Sequence, residues 1–127
     1  MKKVIKTSGA PAAIGPYSQA IMVGNMVFAS GQIPLDPKSM EMVGSSVEEQ
    51  TEQVLKNLAA VLEAEGLGLR HLVKTTVFLK NMGDFPKFNA VYEKHMVAPF
   101  PARATVEVSA LPKGALVEIE GIACREG

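Results

Sequence analysis

The sequence holds a single cysteine, two histidines, no net charge and no long apolar run. Each scarcity excludes something. Cys124 alone cannot form an internal disulfide, so the fold must rest on its core. A chain of 127 residues suffices for one domain, spanning 1–127, that buries about two-thirds of its unfolded surface. His71 and His95 stand far apart with no cysteine or histidine at metal-ligand spacing; they read as surface histidines, and no metal site is expected. Thirteen basic residues balance thirteen acidic ones, and no basic cluster exceeds Lys2-Lys3, so nucleic acid is not an expected partner. No apolar stretch approaches the roughly 18 residues of a membrane span, and the N-terminus lacks the apolar segment of a signal peptide. The expectation is a soluble, cytoplasmic protein with no membrane partner.

What is present reads as alternating strands and helices. A proline- and glycine-containing stretch, Pro11 to Pro16, predicts a loop delivering Tyr17 to a strand over Tyr17 to Met22. Gly24-Asn25 supplies the positive backbone dihedrals of a hairpin leading into Met26 to Ser30. Ser46 and Glu49 have capping-box spacing. Val47, Thr51, Val54, Leu58 and Leu62 then recur at helical steps up to a stop at Gly66. Leu72 to Lys80 is β-rich, with Val73, Thr75, Val77 and Leu79 on one face. A second helix follows, capped by Asp84, with Phe85, Phe88, Tyr92 and Met96 as its buried stripe and Ala98-Pro99 as its end.

Two strands close the chain, around Arg103 and around Glu118. Alternation puts Arg103, Thr105 and Glu107 on one face of the first, and Glu118 and Glu120 on one face of the second. Val106, Val108, Val117 and Ile119 fall on the opposite, apolar faces. If the strands are neighbours, an arginine and a carboxylate form a small polar pocket: a clamp for an anionic substrate beside a group that handles water. The residues alone leave a second reading open, in which Arg103 pairs with Glu107, Glu118 or Glu120 at an interface and the glutamates merely face outward. The element order predicts an α+β fold, a single mixed sheet with two helices on one face. Two helices cannot cover both faces, so the other is expected to be buried against a copy of the same chain.

Several segments resemble the Rid (YjgF) family of reactive imine and enamine deaminases. They are Ala13-Ile14-Gly15-Pro16-Tyr17-Ser18-Gln19-Ala20, Ser30-Gly31-Gln32-Ile33-Pro34, Val73 to Leu79, Phe88-Asn89-Ala90-Val91-Tyr92, Phe100-Pro101-Ala102-Arg103 and Val117 to Ala123, in family order across nearly the whole chain. The resemblance implies a chorismate-mutase-like (YjgF-like) fold assembled as a homotrimer, with ligand sites in clefts between subunits. It implies that Arg103 binds the substrate carboxylate and Glu118 holds the water, with Tyr17, Ser30, Gly31, Asn89 and Thr105 at other cleft positions. Many bacterial relatives carry cysteine at position 105; Thr105 excludes thiol chemistry there but would keep backbone contacts. Gly121 stands where alanine is more usual, a difference expected to matter little.

The implied substrates are 2-imino and 2-enamino acids, hydrolysed without a cofactor to 2-oxo acids and ammonia. Arg103 suits a carboxylate because its planar fork is always charged, and Glu118 suits the proton traffic of water attack. Tyr17 reads equally as an interface aromatic, and Asn89 as the donor or acceptor of a helix-to-loop hydrogen bond. Two other functions fit the resemblance: a non-catalytic trimeric module binding small carboxylates or proteins, and an endoribonuclease that inhibits translation, which the neutral charge disfavours.

Overall fold

The longest helix, α1 (Val47–Glu63), begins where the capping box predicts. Ser46 Oγ accepts from Glu49 N at 3.1 Å, and Glu49 Oε1 accepts from Ser46 N at 3.2 Å. Its stripe of Val47, Thr51, Val54, Leu58 and Leu62 is buried, joined by Leu55 and Val61. Gly66, at φ 73°, ends the run, and Leu67 N donates back to Leu62 O at 3.0 Å. The computed structural model describes residues 1–126.

Helix α1 and helix α2 (Phe85–His95) lie on one face of a six-stranded mixed sheet. The strands are β1 (Lys2–Ile5), β2 (Ala20–Val23), β3 (Met26–Gln32), β4 (Leu72–Leu79), β5 (Ala102–Glu107) and β6 (Val117–Cys124). Their spatial order is β1-β2-β3-β6-β4-β5, antiparallel throughout except for the parallel β4–β5 pair. The core lies between helices and sheet, where Val27, Val77, Leu79, Phe88, Val117 and Ile119 are fully buried beside the α1 stripe.

Several expectations shift in detail. The first hairpin strand starts at Ala20, leaving Tyr17 in an exposed loop, and only Gly24 of the turn pair takes a positive φ. A bulge between Leu72 and Lys74 turns Val73 out of the core face, so it is exposed while Thr75, Val77 and Leu79 stay buried. Asp84 precedes α2 without a side-chain capping bond; instead Glu107 Oε1 accepts from Met82 N at 2.8 Å, tying β5 to the turn before α2. Neither histidine is fully at the surface. His71 Nδ1 accepts from Gly68 N at 2.9 Å, and His95 bonds Glu52 at 2.7 Å across the two helices. A Cβ at Gly121 would stand 2.8 Å from Cδ2 of buried Leu72, so alanine there asks the end of that side chain to shift.

The open face of the sheet carries large apolar side chains. Val4, Val23, Phe28 and Val106 are all exposed on it, near Glu118, Glu120 and Lys74. No helix among the described residues is long and apolar enough to cross a membrane.

Candidate active site

Strand order decides what Arg103 and Glu118 can do together. Strand β4 lies between β5 and β6, so the two residues are not on neighbouring strands. Arg103 pairs with Thr75 and Glu118 with Phe78, an offset of three residues across two strand spacings. Strand spacings of about 4.8 Å and a rise of about 3.3 Å per residue place their Cα atoms roughly 14 Å apart. They also face opposite ways. Arg103, Thr105 and Glu107 register with buried Thr75, Val77 and Leu79, on the helix side of the sheet. Glu118 and Glu120 register with Phe78 and Thr76 on the open side. The alternation read from each strand is correct, but the two charged faces are not the same face, so one chain does not form the polar pocket.

Each residue instead belongs to its own half-site. On the helix side Arg103 lies across two aromatic rings of α2, with its guanidinium carbon 4.8 Å from the Tyr92 centroid and 5.3 Å from that of Phe85. Its Nη1 donates to Asn89 Oδ1 at 2.7 Å. Phe85, Asn89 and Tyr92 are spaced four and three residues apart, which puts them on one stripe of the helix. Tyr92 is fixed from below by a buried 2.7 Å bond between its hydroxyl and Thr75 Oγ1. The arginine is therefore aimed by a shelf, with each cation–π contact contributing about 0.5–1 kcal/mol at such an exposed position. Among the described residues none of Glu107, Glu118 or Glu120 forms an ion pair with Arg103. One N–H of the fork is used on Asn89, and Phe100 and Pro101 help wall a cavity of about 340 Å³ around it. Thr105, two residues on, carries the one buried side-chain polar atom without a hydrogen-bond partner among the described residues. An unpartnered buried hydroxyl is costly unless something else meets it.

The second half-site gathers on β3 and β6. A β-bulge between Ala29 and Gln32 lets the chain leave strict pairing at Ser30 and Gly31. Glu118 lies directly against Gly31: a Cβ there would collide with the carboxylate and stand 2.9 Å from Glu118 Cδ. Burial, and then the negative charge of Glu120, hold the Glu118 carboxyl above its ordinary range. Ser30 is partly structural, since its Oγ donates to Ser18 O at 2.6 Å and its N–H to Gln19 O at 2.9 Å, holding the loop that carries Tyr17. Tyr17 and Gly31 share the wall of a cavity of about 460 Å³ with Ile33 and Lys113.

Three buried amides brace this half-site and were not anticipated from the sequence. Gln19 binds Thr7, Ala10 and Pro11; Asn57 on α1 donates to Ile33 O and Leu35 O; and Gln50 donates to Gly44 O while accepting from Leu116 N. Loops carry backbone groups that must be satisfied, and buried side-chain amides can do so. The signal for the helix pair was the placement of Gln50 and Asn57 seven residues apart on the stripe side of α1.

Comparison with known proteins identifies the family. The family model described as Endoribonuclease L-PSP matches residues 7–125. The RutC family protein of Pyrococcus horikoshii is 54% identical over 126 residues, 99% of this chain and 100% of the relative. A mouse protein named 2-iminobutanoate/2-iminopropanoate deaminase is 49% identical over 123 residues, 97% of this chain and 91% of the relative. The crystal structure of YyfA from Yersinia pestis, named as a member of the conserved Rid protein family, superposes with a TM-score of 0.93 at 51% identity, covering 98% of this chain and 100% of that one. With the family model matched almost end to end, and relatives near half identity over their full length, the chain belongs to the YjgF/Rid family.

Proposed function

We propose that the protein hydrolyses reactive 2-imino and 2-enamino acids, such as 2-iminopropanoate, its enamine tautomer 2-aminoacrylate, and 2-iminobutanoate, to 2-oxo acids and ammonia. In this reading it acts as a homotrimer with sites between subunits, in the cytoplasm and without a cofactor. The observation that carries the reading is the aimed, ion-pair-free Arg103 on its aromatic shelf, in an open cavity sized for a small carboxylate. The name of the mouse relative supports the substrate class. The apolar open face supports self-association, and the opposite-facing half-sites favour Arg103 from one copy meeting Glu118 from the next.

The chemistry follows from what each group offers. Arg103 holds the carboxylate through two N–H donors, which fixes C2 of the imine. Asn89 keeps the guanidinium in that orientation. Glu118, as carboxylate, takes a proton from water while the water oxygen bonds to C2 and the C=N π electrons pass to nitrogen. The proton returns to the nitrogen, giving a carbinolamine; Glu118 then passes the hydroxyl proton to the nitrogen as the C–N bond breaks, C2 becomes a carbonyl and ammonia leaves. A carboxyl with a raised pKa both accepts and returns a proton more readily near neutral pH. Tyr17 borders the substrate, and the unpartnered Thr105 hydroxyl gains a partner in it.

The test is a coupled assay in which a serine or threonine dehydratase generates the imine and semicarbazide traps what remains. Wild-type protein is expected to lower the trapped fraction and hasten 2-oxo acid release, with Arg103→Ala inactive. Equal trapping with and without protein across several imines would leave the non-catalytic carboxylate-binding module. The description of the family as an endoribonuclease carries a second reading, RNA cleavage. Cleavage by a nuclease-free preparation that persists in Arg103→Ala would favour it.

A further inference from the structure

The cavity walled by Tyr17 and by Gly31, against which Glu118 packs, has one unexplained charge on its wall. Among its lining residues, Tyr17, Gly31, Ile33 and Met40 included, Lys113 is the only charged one. Lys113 makes no ion pair among the described residues, and it is exposed. Its backbone is left-handed, at φ 57° and ψ 22°. Only two described non-glycine residues have a positive φ, Met40 and Lys113, and both line this one cavity. A glycine at 113 would adopt that conformation without the steric cost a lysine bears. Strained residues persist where the surrounding structure or the function holds them, and their meeting at one cavity points to use rather than accident.

We propose that Lys113 is a capture residue that draws small monocarboxylates with apolar side chains into the cavity beside Glu118. The chemistry fits the walls: Ile33, Tyr17 and Met40 suit an apolar side chain, and a single ammonium attracts a single negative charge without the two-toothed grip of Arg103. With zero formal charge the chain as a whole exerts no net attraction on an anion. Lys113 therefore acts on approach, raising kcat/KM without changing kcat, and its effect fades with salt. The inference rests on the reading of this cleft as a site for 2-imino acids and their 2-oxo acid products.

Lys113→Gln, Lys113→Arg and Lys113→Gly are compared with wild type for imine hydrolysis at about 20 and 200 mM NaCl, where the screening length shrinks several-fold. A unit charge acting over several ångströms of water predicts about a two- to threefold lower kcat/KM for Lys113→Gln at low salt, with kcat unchanged and the difference narrowing to about 1.5-fold at high salt. Lys113→Arg retains wild-type behaviour, and Lys113→Gly matches Lys113→Gln although its backbone is relaxed. Equal loss in Lys113→Arg and Lys113→Gln would assign the position to loop geometry and overturn the proposal. The same proteins are titrated with 2-oxobutanoate by NMR, which needs no turnover. Absent hydrolysis by wild type, together with weaker binding by Lys113→Gln at low salt and a smaller difference at high salt, removes the deaminase reading and keeps the capture role. Equal binding by Lys113→Gln and wild type at both salt concentrations overturns the capture role whatever the activity.

Discussion

Replacing Gly31 with alanine separates the position of Glu118 from the stability of the fold. A Cβ at Gly31 would lie 2.9 Å from Glu118 Cδ and 3.1 Å from its Cγ. Carbon atoms pack at about 3.5–4.0 Å and the nearer carboxylate oxygen overlaps the new methyl outright, so the carboxyl must retreat by more than about 1 Å or leave for another rotamer. Gly31 is not among the residues with positive φ, so alanine meets no backbone penalty. Loss of freedom in the unfolded chain favours the variant by about 0.4–1 kcal/mol, offsetting the cost of moving one half-buried side chain. Net stability should remain within about 1 kcal/mol of wild type. Activity should not: a displacement of about 1 Å at a reacting group costs on the order of 100-fold. Imine hydrolysis and thermal unfolding of the same preparation measure the two effects. Full activity at unchanged melting temperature would show that contact between Glu118 and Gly31 has no part in catalysis. Loss of activity accompanied by more than about 3 kcal/mol of stability would show that the contact is a packing constraint instead.

Two further outcomes follow from the half-sites. Asn89→Ala removes the 2.7 Å bond that orients Arg103 but leaves the aromatic shelf, so KM should rise several-fold, about 1 kcal/mol of binding, with a smaller change in kcat; steady-state kinetics separates the two. Glu118→Gln should abolish activity yet raise stability at neutral pH, read by denaturant unfolding across pH. The folded state holds the Glu118 proton more tightly than the unfolded chain does. Wild-type stability therefore falls as pH rises from the ordinary value of 4.5 through the raised one, and the advantage of Glu118→Gln should shrink as pH drops below that window. A constant difference at every pH would contradict the strained carboxylate.

Most of the architecture was legible because local chemistry marks it. The Ser46–Glu49 box, the Val47-to-Leu62 stripe and the Gly66 stop each act within a few residues, and all three appear where expected. Alternation within β5 and β6 was equally legible, since side-chain direction has a period of two. What the sequence could not state is which face of each strand meets the helices. Arg103 on β5 looks as outward as Glu118 on β6, because an edge strand leaves even its helix-side residues half open to solvent. The insertion of β4 between them is a long-range pairing with no local signature. Gln19, Gln50 and Asn57 escaped notice for a related reason: an amide in a helix or loop reads as surface until the backbone groups it satisfies are known. The roles of Phe85 and Tyr92 were half visible, as members of a buried stripe whose ring faces also carry Arg103.

The central claim is that one copy supplies Arg103 and the next supplies Glu118, and subunit mixing tests it directly. Arg103→Ala and Glu118→Gln, each inactive alone, are unfolded together in equal amounts and refolded, with mass spectrometry to verify mixed assemblies. A site needs an intact Arg103 from one copy, with probability one-half, and an intact Glu118 from its neighbour, again one-half. Cyclic closure of the assembly therefore predicts recovery of about one-quarter of wild-type activity. Verified mixed assemblies without activity would contradict the account and require both residues to act from the same chain.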